Sequence, residues 1–120
     1  MRIRLNVDGT VMAATLEDTA VARDFAVLLP LELSLDDYAS TEKIACLPRK
    51  LSTAGAPRGS DAHVGDITYY APWGNLAVFH KNFEYSPGLV RLGRLDAGVD
   101  ALRRPGPLRV TIERIEHDTP

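Results

Sequence analysis

Arg49 follows Pro48 at the end of the extended run Glu42 to Leu47. A guanidinium at such a rim can donate hydrogen bonds to a peptide carbonyl or clamp a carboxylate with two parallel N–H bonds. The plainer reading is a solvated Arg49-Lys50 pair. Four aromatic residues, Tyr69, Tyr70, Trp73 and Tyr85, cluster around the turns that follow. Rings at strand ends can line the mouth of a barrel where a ligand docks, and they are also the ordinary filling of a small core. Trp73 sits in the turn Pro72-Trp73-Gly74-Asn75 rather than in a strand, which sets its ligand-lining reading level with packing; for Tyr69 packing is the stronger reading. The candidate ligand-binding set is therefore Arg49, Trp73, Tyr85 and Tyr69.

Other chemistry-bearing residues read as structural. Glu42 and Lys43 place an acid beside a cation, but neighbours in a strand point to opposite faces and cannot act as one pair; each reads as solvated or structural. Cys46, in an apolar strand, reads as a small buried hydrophobe rather than a nucleophile. His63, His80 and His117 show no HxH or HExxH spacing, so no metal is expected. Ser52, Ser60 and Ser86 lie outside any nucleophile elbow, and Gly55, Gly59 and Gly65 form neither a P-loop nor a dinucleotide fingerprint. No cofactor is expected, and hydrolase, kinase and oxidoreductase readings fall together.

The elements that position these residues belong to one domain, 1–120, by length. The chain is 45% hydrophobic and 25% charged, with a net charge of -2. Without a basic excess, neither nucleic acid nor an anionic membrane surface is an expected partner. The single cysteine allows no intramolecular disulfide, which fits a reducing, cytoplasmic setting. The N-terminus carries no apolar signal region, and no run approaches the roughly 20 apolar residues of a membrane helix. The sequence defines no oligomeric state.

The first element is the clearest. Ile3, Leu5 and Val7 alternate with Arg2, Arg4 and Asn6, and Asp8-Gly9 supplies a two-residue hairpin turn. Pairing Val7 with Thr10 sets Leu5 opposite Met12 and Ile3 opposite Ala14, apolar on one face of both strands. From Ala20 to Leu29 the period becomes helical, with Val21, Phe25 and Leu28 on one stripe, Asp18 or Thr19 as N-cap and Pro30 as the stop. A helix that short has to cover the end of a sheet rather than form a core. Leu29 to Leu35 alternates as a strand, Glu42 to Leu47 is shorter, and Ser52 to Val64 is the longest loop. Further strands follow at Asp66–Ala71, Leu76–His80, Leu89–Leu95 and Leu108–Glu113, with a turn at Tyr85-Ser86-Pro87-Gly88 and one helical turn near 97–102. Many short strands with a single helix predict an all-β antiparallel barrel or sandwich.

The run from Gly65-Asp66-Ile67-Thr68-Tyr69-Tyr70-Ala71-Pro72-Trp73-Gly74-Asn75 to Phe79, with Ser86-Pro87-Gly88-Leu89-Val90-Arg91-Leu92-Gly93, resembles a family of small prokaryotic cyclophilin-like proteins. The resemblance extends upstream through Leu28-Leu29-Pro30-Leu31, Asp37-Tyr38, Thr41-Glu42-Lys43-Ile44 and Leu47-Pro48. It implies a closed, eight-stranded antiparallel cyclophilin-like barrel with one short amphipathic helix and a possible second helical turn. Towards the peptidyl-prolyl isomerases, Gly65-Asp66-Ile67-Thr68 is similar to their Gly-Asp-Phe-Thr, Phe83 to the aromatic after their glycine-rich turn, and Pro87-Gly88-Leu89 to their Pro-Gly-Ile or Pro-Gly-Leu. By rough position Arg49 or Arg58 matches their arginine. His63-Val64 stands where they carry a glutamine, and the tail from Ala97 has no counterpart to their pocket phenylalanine and histidine. The resulting expectation is a binding module that takes a peptide segment or small molecule in an aromatic-lined groove beside Arg49. The alternative is a weak peptidyl-prolyl cis-trans isomerase, with Arg49 drawing the prolyl nitrogen out of conjugation.

Overall fold

A computed structural model describes residues 1–115. His117 lies outside the described residues. Eight strands close into an antiparallel barrel in the order β1 (Arg2–Val7), β10 (Leu108–Arg114), β3 (Leu31–Tyr38), β4 (Glu42–Cys46), β7 (Asn75–Phe79), β6 (Asp66–Tyr70), β9 (Leu89–Leu95) and β2 (Thr10–Leu16). The remaining strands, β5 (Gly59–Ala62) and β8 (Phe83–Pro87), pair only with each other.

The first hairpin has the predicted register, Val7 against Thr10, Leu5 against Met12 and Ile3 against Ala14. Its inward residues join Leu35, Ile67, Tyr69, Leu76, Val78, Leu92, Val110 and Ile112 in one core. An eight-stranded barrel has an interior just wide enough for side chains to fill. The lumen is therefore packed, and a ligand site has to be sought outside it.

Both ends of the barrel are closed. Helix α1 (Ala20–Val27) is capped by the Thr19 hydroxyl, which accepts from Ala22 N–H, and buries Val21, Ala22, Phe25 and Ala26 in the core. Leu28, just past it, is half-buried against the same cluster. The Ala26 carbonyl accepts from Arg114, whose strand runs beside Ile3 at the start of β1. At the other end of β1, Arg104 donates to the Val7 carbonyl. It follows the 3₁₀ turn η1 (Val99–Arg103), whose Leu102 is fully buried.

Lys43 belongs to that second end. Its side chain is fully buried, and Nζ lies 2.7 Å from the Arg104 carbonyl, 2.6 Å from the Gly106 carbonyl and 2.7 Å from Asp37 Oδ1. These are the three acceptors that an ammonium can satisfy, so Lys43 ties the 104–106 segment to the barrel. Lys43 is structural, but it is not solvated.

Three local readings need correction. Cys46 is exposed: it shares the outward parity of Glu42 and Ile44, and Ala45 is the residue that faces the core. The 52–64 loop contains β5, hidden by its polar and small residues. A Cβ at Gly59 would lie 2.5 Å from the Ser86 carbonyl oxygen, so glycine is what lets this strand approach its partner. Finally, Tyr85 to Pro87 belongs to β8, and the turn is Gly88 alone, whose φ of +83° suits glycine. A Cβ there would also strike the Pro72 ring at 2.7 Å. That close packing sets the end of β8 against the turn that carries Trp73.

Candidate functional site

Register places a second set of side chains on the outer wall of the barrel. Tyr38, Glu42 and Phe79 stand opposite one another across β3, β4 and β7. Two residues along come Ile44, Ala77 and Thr68, and then Cys46, Asn75 and Tyr70. The run Leu76-Ala77-Val78-Phe79 is apolar on both faces: Leu76 and Val78 enter the barrel core, while Ala77 and Phe79 point out. A strand apolar on both sides needs cover on both. The β5–β8 pair supplies it, with Ala62 and Phe83 packing on Ala77, Phe79, Leu89, Ile44 and Tyr70. The Phe79 and Phe83 rings lie 5.8 Å apart.

The cover is incomplete. Between β8 and the wall remains a groove of about 180 Å³, whose lining includes Tyr38, Glu42, Tyr70, Trp73, Asn75 and Phe83. Backbone N–H groups of Trp73 and Gly74 both donate to the Tyr70 carbonyl, making a tight turn that holds the indole over the groove. The Tyr38 ring meets the indole edge-on at 5.3 Å and 83°, and the Tyr70 ring does so at 5.2 Å and 88°. Trp73 nevertheless stays 53% exposed and Tyr38 43%.

Two polar side chains face this groove with little to satisfy them. Asn75 is 7% exposed, and its buried Oδ1 has no hydrogen-bond partner among the described residues. Glu42 is 8% exposed and accepts one hydrogen bond, from the Thr41 hydroxyl at 3.1 Å. Burial pushes its carboxyl above the usual carboxylate range, and the Thr41 hydroxyl only partly opposes this. Among the described residues, no lysine, arginine or histidine nitrogen lies within 4 Å of it.

The four residues singled out from sequence do not meet in one concavity. Trp73 lines the groove. Tyr69 is buried in the barrel, where its hydroxyl accepts from the Leu51 backbone N–H at 3.1 Å. Arg49 is clamped on α1, donating to both carboxylate oxygens of Asp24 at 3.0 and 2.8 Å. That bidentate bond, with a further one from Ser52 N–H, holds the Asp24 carboxyl down to about 2. Tyr85 is exposed on β8, with its hydroxyl against Gly59. His63 lies 3.7 Å from Asp66 and 3.8 Å from Asp61. Among the described residues no group of three potential ligands converges on a metal position, and no helix is long and apolar enough to cross a membrane.

Sequence reasoning did not count Tyr38, Asn75 or Phe83 among the ligand-binding candidates, and set Glu42 aside as solvated or structural. The signal that points to them is the doubly apolar β7, which demands an outer layer and hence a seam beside it. A second cavity, about 280 Å³, opens near the start of α1 between Thr19, Ala54–Pro57 and Arg91. It has no aromatic lining.

The fold is thus a closed antiparallel barrel plugged by a helix, with a partly covered aromatic seam on its outer wall. The chain belongs to the cyclophilin-like family, whose model matches residues 5–113. Among solved structures it is similar to the solution structure of the hypothetical protein AF2241 from Archaeoglobus fulgidus. The TM-score is 0.65 at 17% identity, over 96% of this chain and 95% of that one. That likeness supports the fold alone. No curated protein matches the sequence.

Proposed function

We propose that this protein is a binding module whose ligand, a small molecule or one side chain of a peptide segment, enters the outer groove beside Trp73. What carries the reading is the pairing of exposed aromatic rings with two buried, under-satisfied polar groups. Buried polar atoms are almost always hydrogen-bonded, so a ligand that supplies the missing partners recovers what their burial costs. The filled lumen directs the site outward, and at about 180 Å³ the groove is below the usual range of pockets for drug-sized molecules, so it suits a compact group.

Trp73 is the only tryptophan, so its emission reports on the groove directly. A panel of small amines, carboxylates, neutral aromatics and short peptides is expected to include ligands that shift this emission saturably. Ser86→Phe, which fills the groove from β8, should abolish the response. An unresponsive panel, or a response that survives Ser86→Phe, overturns the reading. Nothing favours the isomerase alternative, since Arg49 is engaged by Asp24 and does not line the groove. Uncatalysed prolyl isomerisation takes tens to hundreds of seconds, and micromolar protein is expected to accelerate it little. Robust turnover abolished by Arg49→Ala, with the thermal midpoint unchanged, would reinstate the enzyme.

A further inference from the structure

We propose that the groove selects an organic cation, an alkylammonium or N-methylated ammonium group, held between the rings of Trp73, Tyr38 and Tyr70 and the Glu42 carboxylate. This rests on the groove being the ligand site and adds the chemical class of its ligand.

Three observations converge on positive charge. The first is the sign of the lining. Among the described residues, Glu42 is its one carboxylic acid, and no lysine, arginine or histidine lines it. An anion would meet a carboxylate with no cation to offset it, whereas a cation supplies the counter-charge that Glu42 lacks. On the same outer face of the sheet, Asp36 stands opposite Ile44, one of the groove's lining residues.

The second observation is the kind of vacancy. The unpaired atom of Asn75 is an acceptor, and Glu42 accepts a single hydrogen bond from within the chain. Ionised carboxylates and amide oxygens call for donors. An ammonium N–H can satisfy both, and the polarised methyl groups of an N-methylated head can approach the same oxygens.

The third is the ring geometry. Tyr38 and Tyr70 each stand nearly perpendicular to the indole, so aromatic surfaces meet at right angles around the opening. A cation is attracted to the negative face of a ring within about 6 Å of its centroid, most strongly to tryptophan. Rings set at right angles let one cation contact more than one face. Edge-to-face pairs also occur in ordinary cores, but core pairs are buried, and Trp73 and Tyr38 leave about half of their surface open.

An ammonium group can come from a free small molecule or from a lysine side chain, and the test separates these sources. Calorimetric titration compares choline with 3,3-dimethylbutan-1-ol, which has the same shape and no charge. Choline is expected to bind at least about tenfold more tightly, a ratio typical of a partly desolvated cation on aromatic faces. Glu42→Gln and Tyr38→Leu, each checked for an intact thermal transition, should both erase most of that ratio. N-acetyl-trimethyllysine amide is the second arm. If it binds more tightly than choline, the natural ligand is a peptide side chain; if more weakly, a free amine, and the cation assignment stands in both cases. Equal binding of choline and its neutral isostere overturns the cation while leaving the groove as a site. Binding of both that survives Ser86→Phe, or binding of carboxylates or neutral aromatics of the panel when neither choline nor the panel's small amines bind, overturns the cation assignment.

Discussion

Tyr69→Phe separates a structural tyrosine from a ligand-binding one more cleanly than any truncation. The ring is 1% exposed and stays in place in the variant, so no cavity opens and the substitution deletes one hydroxyl. That hydroxyl accepts from the Leu51 N–H in a buried hydrogen bond of 3.1 Å. Leu51 is itself in the core, within a segment without regular structure that Arg49 and Ser52 tie to Asp24 of α1. An intramolecular hydrogen bond contributes about 1 kcal/mol net, and a buried N–H left unpaired costs about 1–3 kcal/mol. A loss of about 1.5–2 kcal/mol follows, which for a domain of this size lowers Tm by roughly 6–8 °C. Thermal and urea unfolding measure the loss. Hydrogen exchange at the Leu51 amide locates it, because that amide should be protected in the wild type and exchange much faster in the variant. A Tm change below about 1 °C with unaltered exchange refutes the assignment.

Phe25→Ala empties the helix face that plugs the barrel and should cost about 3–4 kcal/mol in urea unfolding; a loss below about 0.5 kcal/mol, the scale of surface changes, would mean that α1 does not seal the core. Arg49→Ala should return the Asp24 carboxyl from about 2 towards 3.8 in a carbon-detected NMR titration. Because the folded-state value is depressed, the stability from this pair is present above about pH 3.8 and lost as pH falls towards 2. The acid-unfolding curve of the variant should lack that step, and an unmoved titration would contradict the clamp. Glu42 has the opposite sign: its folded pKa lies above 4.5, so its ionisation disfavours folding as pH rises through that value. Glu42→Gln should therefore raise Tm at pH 7, with the gap closing below about pH 4.5. An equal Tm difference at pH 4 and pH 7 would show that the carboxylate is not penalised by burial.

The barrel was legible because its signals are local and redundant. In the β1–β2 hairpin, alternation and Asp8-Gly9 specify the same register, and Thr19 and Pro30 bracket α1 as cap and stop chemistry require. The outer layer was not, because β5 reads Gly-Ser-Asp-Ala and β8 reads Phe-Glu-Tyr-Ser-Pro. β5 has no apolar residue but Ala62, and the alternation of Phe83 and Tyr85 with Glu84 and Ser86 in β8 is cut short at Pro87-Gly88; both strands are held by each other and by the wall beneath. The site suffers the same way. Tyr38, Glu42, Asn75 and Trp73 come from β3, β4, β7 and a turn, and only the closed strand order brings them together. Arg49 was drawn forward by its place after a strand, while its partner Asp24 sits on a helix 25 residues earlier. Pairing of that kind leaves no trace in local pattern.

The central claim is that ligands enter the seam beneath β8, and amide-detected NMR mapping during titrations with choline and with each compound of the panel that shifts the Trp73 emission tests it most directly. The account predicts saturable shifts of the Trp73 indole N–H, the Asn75 side-chain amide and the backbone amides of Glu42 and Ser86, with residues 19–21 and 54–57 unmoved. Shifts centred instead on the cavity beside α1, or no saturable shift in the seam, would contradict it.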